Sequence, residues 1–346
     1  MDQPIDLVLP WVDSNDPEWR EQKNFYESQQ AIIKEGNSEI RYQNWDNLQY
    51  VFRGIEKFMP WVNRVFFVTC GQKPDWLNEK CEKLVLIDHS DYIPPKYLPT
   101  FNSNVIEMNY FRIPELSENF ILFNDDLFPV SPIEEEYYFL NDKPCAEAIE
   151  THFTLKGEMN IQMLYSAINN MVLINKYFDK KKVLKENWEK WLSPVYGERV
   201  KQNIELLYWQ NFESFVYPHE AKPIKKSILA EIWNKEYDLM DKFSCNKFRS
   251  YSDFTQQLIT IWQICSGEFV PHKFKGKFFE TDLDNCYEIA DIIKAQKVPI
   301  LSLNESTVTD FEEVKNVITS ALDSILPDRS MFEYEDEYGC NRKTNT

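Results

Sequence analysis

The sequence predicts an α/β protein, with a Rossmann-like or GT-A-like sheet in the N-terminal half and a largely helical C-terminal half. Short apolar runs bounded by Pro, Gly, Asn or Asp recur through the first 130 residues. Stretches with helical spacing lie between them, and from about residue 155 helical periodicity takes over. At 346 residues the chain has room for two units. We place an α/β portion at 1–150, a helical portion completing the site at 151–328, and a polar, loosely ordered tail at 329–346.

In chain order, residues 5–9, 64–69, 83–88 and 120–123 are rich in Val, Ile, Leu and Phe and read as buried strands. Residues 46–58 place Leu48, Val51, Phe52, Ile55 and Phe58 on one helical face, and 105–113 is a shorter helix candidate. Later helices are predicted at 160–177, 184–193, 198–215, 223–241, 253–266 and 309–325.

Composition removes several function classes. Fifty-six acidic against thirty-eight basic residues give a net charge of -18, whose field repels nucleic acid. An anionic substrate would need local Arg or Lys, or a divalent cation. The eight glycines stand too far apart for a G-x-G, which excludes dinucleotide, Walker and kinase phosphate loops, and G-x-S-x-G is absent too. Seven cysteines without C-x-x-C spacing point to reduced thiols rather than a zinc ribbon or disulfide framework. The acidic N-terminus does not read as a signal peptide, and no apolar run approaches a spanning helix. A cytoplasmic protein, at most peripheral at the inner face of the membrane, is expected.

Candidate chemistry gathers at a few points. Asp125 and Asp126 directly follow the apolar run 120–123 and Asn124. Ligands of open α/β sheets bind beyond the carboxyl ends of strands, where two hard oxygen donors would suit Mg²⁺ or Mn²⁺; the same pair also serves as a polar turn. Asp6 interrupts the strand 5–9 and must meet an Arg, a metal, hydrogen-bond donors or an exposed edge. His219, just before a lysine-rich run, could act as base or phosphate contact, or simply lie in a surface loop. Arg53, Arg112 and Arg249 offer planar forks for phosphate, or surface ion pairs.

Taken together and in order, these segments resemble the Stealth family of sugar-1-phosphate transferases. That family includes bacterial capsule phosphotransferases and the catalytic subunit of the lysosomal N-acetylglucosamine-1-phosphotransferase. The first similar block runs from Ile5 through Asp6 to Asp13, with Asp16 following. The second runs from Arg41 to Asn78 and continues from Leu98 to Phe128. A third extends from Tyr217-Pro218-His219 to Arg249-Ser250-Tyr251-Ser252-Asp253-Phe254, and a fourth is Leu301-Ser302-Leu303-Asn304-Glu305. Two departures are Glu305 where Asp is expected and Glu220 after His219.

The resemblance implies that residues 1–150 bind a nucleotide sugar and that a sugar-1-phosphate passes from a UDP-sugar to an acceptor glycan. The product is a phosphodiester in capsular or cell-surface polysaccharide, and UMP is released. It further implies Asp125 and Asp126 on Mg²⁺ or Mn²⁺, Asp6 in the same centre, and His219 as proton acceptor or phosphate partner. Arg249, Arg53 and Arg112 would balance charge, with Asn102, Ser103, Glu107 and Asn304 as substrate contacts. Implied partners are a glycan acceptor on a lipid carrier and other polysaccharide-assembly enzymes. A metal-dependent glycosyltransferase releasing UDP is the alternative.

Overall fold

The computed structural model describes residues 3–29, 45–153, 161–305 and 310–334. In chain order the strands are Ile5–Pro10 (β1), Val65–Thr69 (β2), Leu84–Asp88 (β3), Asn119–Leu122 (β4), Leu127–Pro129 (β5), Phe139–Leu140 (β6), Lys143–Ala146 (β7), Glu150–Thr151 (β8), Ser214–Phe215 (β9), Lys222–Lys225 (β10), Val270–Pro271 (β11), Lys277–Thr281 (β12) and Ile300–Glu305 (β13). The helices are Pro17–Glu27 (α1), Leu48–Phe58 (α2), His89–Tyr92 (α3), Ser103–Met108 (α4), Ile161–Tyr177 (α5), Lys180–Trp191 (α6), Val200–Leu206 (α7), Lys226–Lys235 (α8), Tyr237–Ser244 (α9), Gln257–Cys265 (α10), Cys286–Lys294 (α11) and Phe311–Ile325 (α12).

The principal sheet has the order β10-β4-β1-β2-β3. β1 to β4 are mutually parallel, and β10 closes one edge antiparallel to β4. Successive side chains of a strand point to opposite faces, so the two faces bury different residues. Leu7, Leu9, Val65, Phe67 and Ile121 pack with α2, α11 and α12, whereas Val8, Phe66, Val68, Phe120 and Leu122 pack with residues of α4, α5, α8 and α10. Coverage on both faces explains why β1, β2 and β4 read as largely apolar runs.

The two halves are interwoven. β10 and β13 come from the portion predicted to be largely helical, yet β10 completes the main sheet and β13 pairs antiparallel with β5. Residues 223–225, predicted as the start of a helix, are strand; Pro223 is tolerated because β10 is an edge. The predicted helix 198–215 forms only over α7, and α1 and α11 were not predicted. Part of the expected tail is packed: Phe332 is buried, and its carbonyl accepts from the Asn78 amide at 2.8 Å. Residues 335–346 lie outside the described ones. No described helix is long and apolar enough to cross a membrane.

Candidate active site

Asp125 and Asp126 form the turn between β4 of the main sheet and β5 of the three-stranded sheet β12-β13-β5. Each of those strands has an antiparallel neighbour whose register decides what meets the turn. Lys222 lies opposite Leu122, the last pair of that ladder, so the loop before β10 reaches the turn after β4. On the other side Ser302 lies opposite Leu127, which brings Leu303 to Asp126. The Leu303 amide donates to the Asp126 carbonyl at 3.0 Å.

The side chains follow. His219 Nε2 stands 2.9 Å from Asp126 Oδ2, and the imidazole packs 5.0 Å from the Phe278 ring on β12. Ser302 Oγ approaches the same oxygen at 3.5 Å. A carboxylate has no proton to give, so Nε2 carries a proton in this contact, and in a neutral ring Nδ1 is then the acceptor nitrogen. The other Asp126 oxygen, Oδ1, is buried without a hydrogen-bond partner. An orphaned carboxylate oxygen is costly unless a ligand supplies the missing charge. Asp126 Oδ1 and the exposed neighbour in the chain, Asp125, are donors of the kind Mg²⁺ takes, one or two carboxylates with phosphate and water completing the octahedron. Among the described residues no group of three or more His, Cys, Asp or Glu forms a full cage.

A second cluster gathers at the start of α4. Arg249 Nη2 donates to Ser103 Oγ at 2.7 Å, and its charge acts on Glu107. Burial pushes the Glu107 carboxyl up to about 7, against the opposing pull of Arg249. Burial, then the Glu107 charge, raises the phenol of Tyr217, two residues before His219, so that the clusters meet there. Asp253, fully buried, holds the arrangement: its carboxylate accepts from Asn102 at 2.9 Å, Asn104 at 3.0 Å and Asn246 at 3.0 Å.

Four expected site residues are engaged with other groups of the protein. Asp6 is at the amino end of β1, opposite Phe120, and at about 3.3 Å per residue the length of the strand separates it from Asp126. It is fully buried and accepts from Asn63 Nδ2 at 2.7 Å and the Ser117 amide at 2.8 Å, tying the lower edge of the sheet together. Nε and Nη2 of Arg53 each donate to Glu333 at 2.8 Å, and Nη1 donates to the Leu326 carbonyl at 3.1 Å. Arg112 follows the far end of α4, where Asn109 Oδ1 accepts from it at 3.0 Å and Trp233 stacks against it at 4.5 Å. Asn102 is wholly enclosed, its amide nitrogen bound to Phe248 O and Asp253 and its oxygen capping Asn104, so it shapes the loop that carries Ser103.

The sequence blocks include Ser302, Asp253 and Lys222 without giving them a role, and Phe278 lies outside them. A signal existed for two of them: Ser302 interrupts an apolar strand, and Asp253 closes a run of hydroxyl residues suited to an enclosed turn.

The family models "Stealth protein CR1, conserved region 1" and "Stealth protein CR2, conserved region 2" match residues 3–31 and 41–148. Over 331 residues the chain is 38% identical to a capsular polysaccharide phosphotransferase, WcwK, of Streptococcus pneumoniae, covering 95% of this chain and 98% of that protein. It is 37% identical over 344 residues to the receptor polysaccharide phosphotransferase WefC of Streptococcus gordonii, covering 96% and 100%. It is 32% identical over 333 residues to the exopolysaccharide phosphotransferase cps2G of Lactiplantibacillus plantarum, covering 95% and 96%. Coverage of this extent spans His219 and Arg249 as well as the Asp pair.

Proposed function

The chain belongs to the Stealth family, and we propose that it transfers a hexose- or N-acetylhexosamine-1-phosphate from a UDP-sugar to a hydroxyl of an acceptor glycan. The product is a phosphodiester within a capsular or cell-surface polysaccharide. One contact supports this above all: His219 on Asp126, at the carboxyl edge of the sheet where β4 hands over to β5.

In this reading the acceptor hydroxyl attacks the sugar-bearing β-phosphorus. A new O–P bond forms, the bond to the bridging oxygen breaks, and UMP leaves with that electron pair. Nδ1 of His219 takes the acceptor proton while Asp126 Oδ2 holds the ring by Nε2, the role a carboxylate plays behind a catalytic histidine. Asp126 Oδ1 and Asp125 would hold Mg²⁺ or Mn²⁺, which when bound neutralises diphosphate charge. Arg249, steered by Ser103, meets charge developing on the transferred phosphoryl group, and Glu107 and Asn304 contact the sugar. Such a transfer is mostly positioning and charge balance. The acceptor is carried on a lipid, and other polysaccharide-assembly enzymes work beside this one at the inner membrane face.

Purified protein incubated with a panel of UDP-sugars, Mg²⁺ and short acceptor glycans tests the reading. UMP with a phosphodiester-linked product is expected; release of UDP would instead indicate glycosyl transfer.

A further inference from the structure

Three contacts join the residues around His219 to the segment leading into β12, and they run in opposite directions along the two stretches. The Lys222 ammonium is 5.7 Å from the Phe274 ring, Glu220 Oε2 accepts from the Gly276 amide at 3.2 Å, and the His219 ring is 5.0 Å from Phe278. The Glu220 contact is close enough to dictate a residue type. A Cβ on Gly276 would stand 2.7 Å from Glu220 Oε2 and 2.7 Å from the Ile300 side chain, so any larger residue would push Glu220 or Ile300 aside.

Lys222 is buried, 3% exposed, and its ammonium donates to the carbonyl of Pro218, the residue before His219. It also stands 4.3 Å from the Tyr217 ring. On the other side of His219, Glu220 accepts from the Tyr137 hydroxyl at 2.7 Å, and that hydroxyl accepts from the Lys275 amide at 2.7 Å. The charged groups facing Lys222 are Glu220 and Glu147, and Glu147 is itself bound by Arg199 at 2.9 Å and the Phe274 amide at 2.8 Å. The cavity bordered by Lys222, Tyr217, Pro218 and Glu147 measures about 10 Å³, space for about one water.

A buried lysine is expensive to keep charged, and an apolar side chain of equal length would fill the space without that cost. What the ammonium adds is a directed hydrogen bond to the backbone carbonyl that carries His219. We propose that Lys222 and Glu220 are positioning residues, gripping the backbone on both sides of His219 so that its imidazole meets Asp126. The proposal rests on His219 serving as proton acceptor.

The test compares wild type with Lys222→Met, which keeps the length and removes the donor. A displacement on the order of 1 Å costs roughly 100-fold in rate, so kcat should fall 10- to 100-fold while the KM for the donor sugar stays within about twofold. The chain has four histidines, so the His219 ring signal in a ¹H–¹³C spectrum is assignable with His219→Gln. That signal should move in Lys222→Met while those of His89 and His152 stay. A folded Lys222→Met protein with wild-type kcat, or with an unmoved His219 signal, overturns the proposal. If Lys222→Met does not fold, Tyr137→Phe decides: a fall in kcat of fivefold or more with a moved His219 signal supports it, and wild-type behaviour overturns it. Should the wild type transfer no sugar phosphate, the proposed function fails, and the His219 signal alone still decides whether the grip exists.

Discussion

His219 Nε2 and Asp126 Oδ2 lie 2.9 Å apart although 93 positions separate the two residues in the chain. The antiparallel pairing of β10 with β4 brings them together, since it sets residue 222 against 122 and carries the loop before β10 up to the turn after β4. Asp126 therefore faces two ways, with one oxygen on the imidazole and the other buried without a partner.

If His219 takes the acceptor proton, His219→Ala should lower kcat by about 10²- to 10⁴-fold. Its ring is partly exposed, so the variant should melt at close to the wild-type temperature. Wild-type turnover by a folded His219→Ala protein would remove the assignment.

Asp126→Asn keeps the shape of the turn and removes its charge. Activity should be lost and only partly restored by high Mg²⁺, with the Mg²⁺ concentration at half-maximal rate clearly raised. A metal titration with the same midpoint as wild type would rule Asp126 out as a ligand.

Arg249→Lys retains a charge but loses the planar fork held by Ser103. Removing one preorganised electrostatic contact of this kind costs about 10²- to 10³-fold in kcat. Steady-state kinetics of Arg249→Lys and Ser103→Ala check this, with the smaller loss expected for Ser103→Ala.

Glu107 gives a dependence of stability on pH. Its carboxyl rises from 4.5 to about 7 on folding, so its contribution is fully present below about pH 4.5 and is lost as pH rises through about 7. At 1.36 kcal/mol per tenfold change the total is about 3 kcal/mol. In substrate-free protein, urea unfolding of Glu107→Gln should show a shallower decline between pH 4.5 and 7 than wild type; equal slopes would contradict the assignment.

Arg53→Met removes one partner of a mostly buried ion pair with Glu333, whose side chains are 12% and 5% exposed. Loss of about 3 kcal/mol of stability is expected, with kcat at low temperature unchanged. A loss of activity without a loss of stability would return Arg53 to the site.

Local sequence was enough to place the buried strands and the Asp125-Asp126 turn at the end of one of them. Apolar runs buried on both faces are a local property of composition, and a polar pair that ends such a run falls where the sheet opens to ligand. It also marked His219, Ser103, Glu107, Arg249 and Asn304 through ordered blocks of similarity. Which charged groups lie together depends on pairing between distant parts of the chain. Asp6 and Asp126 follow similar local rules, yet a parallel strand puts them at opposite ends. Arg53 and Arg249 offer the same fork, yet Glu333 already occupies the first and Ser103 turns the second toward Glu107. β10 and β13 were hidden for the same reason: strand pairing depends on partners far along the chain, and nothing local to Lys222 or Ser302 announces Leu122 or Leu127.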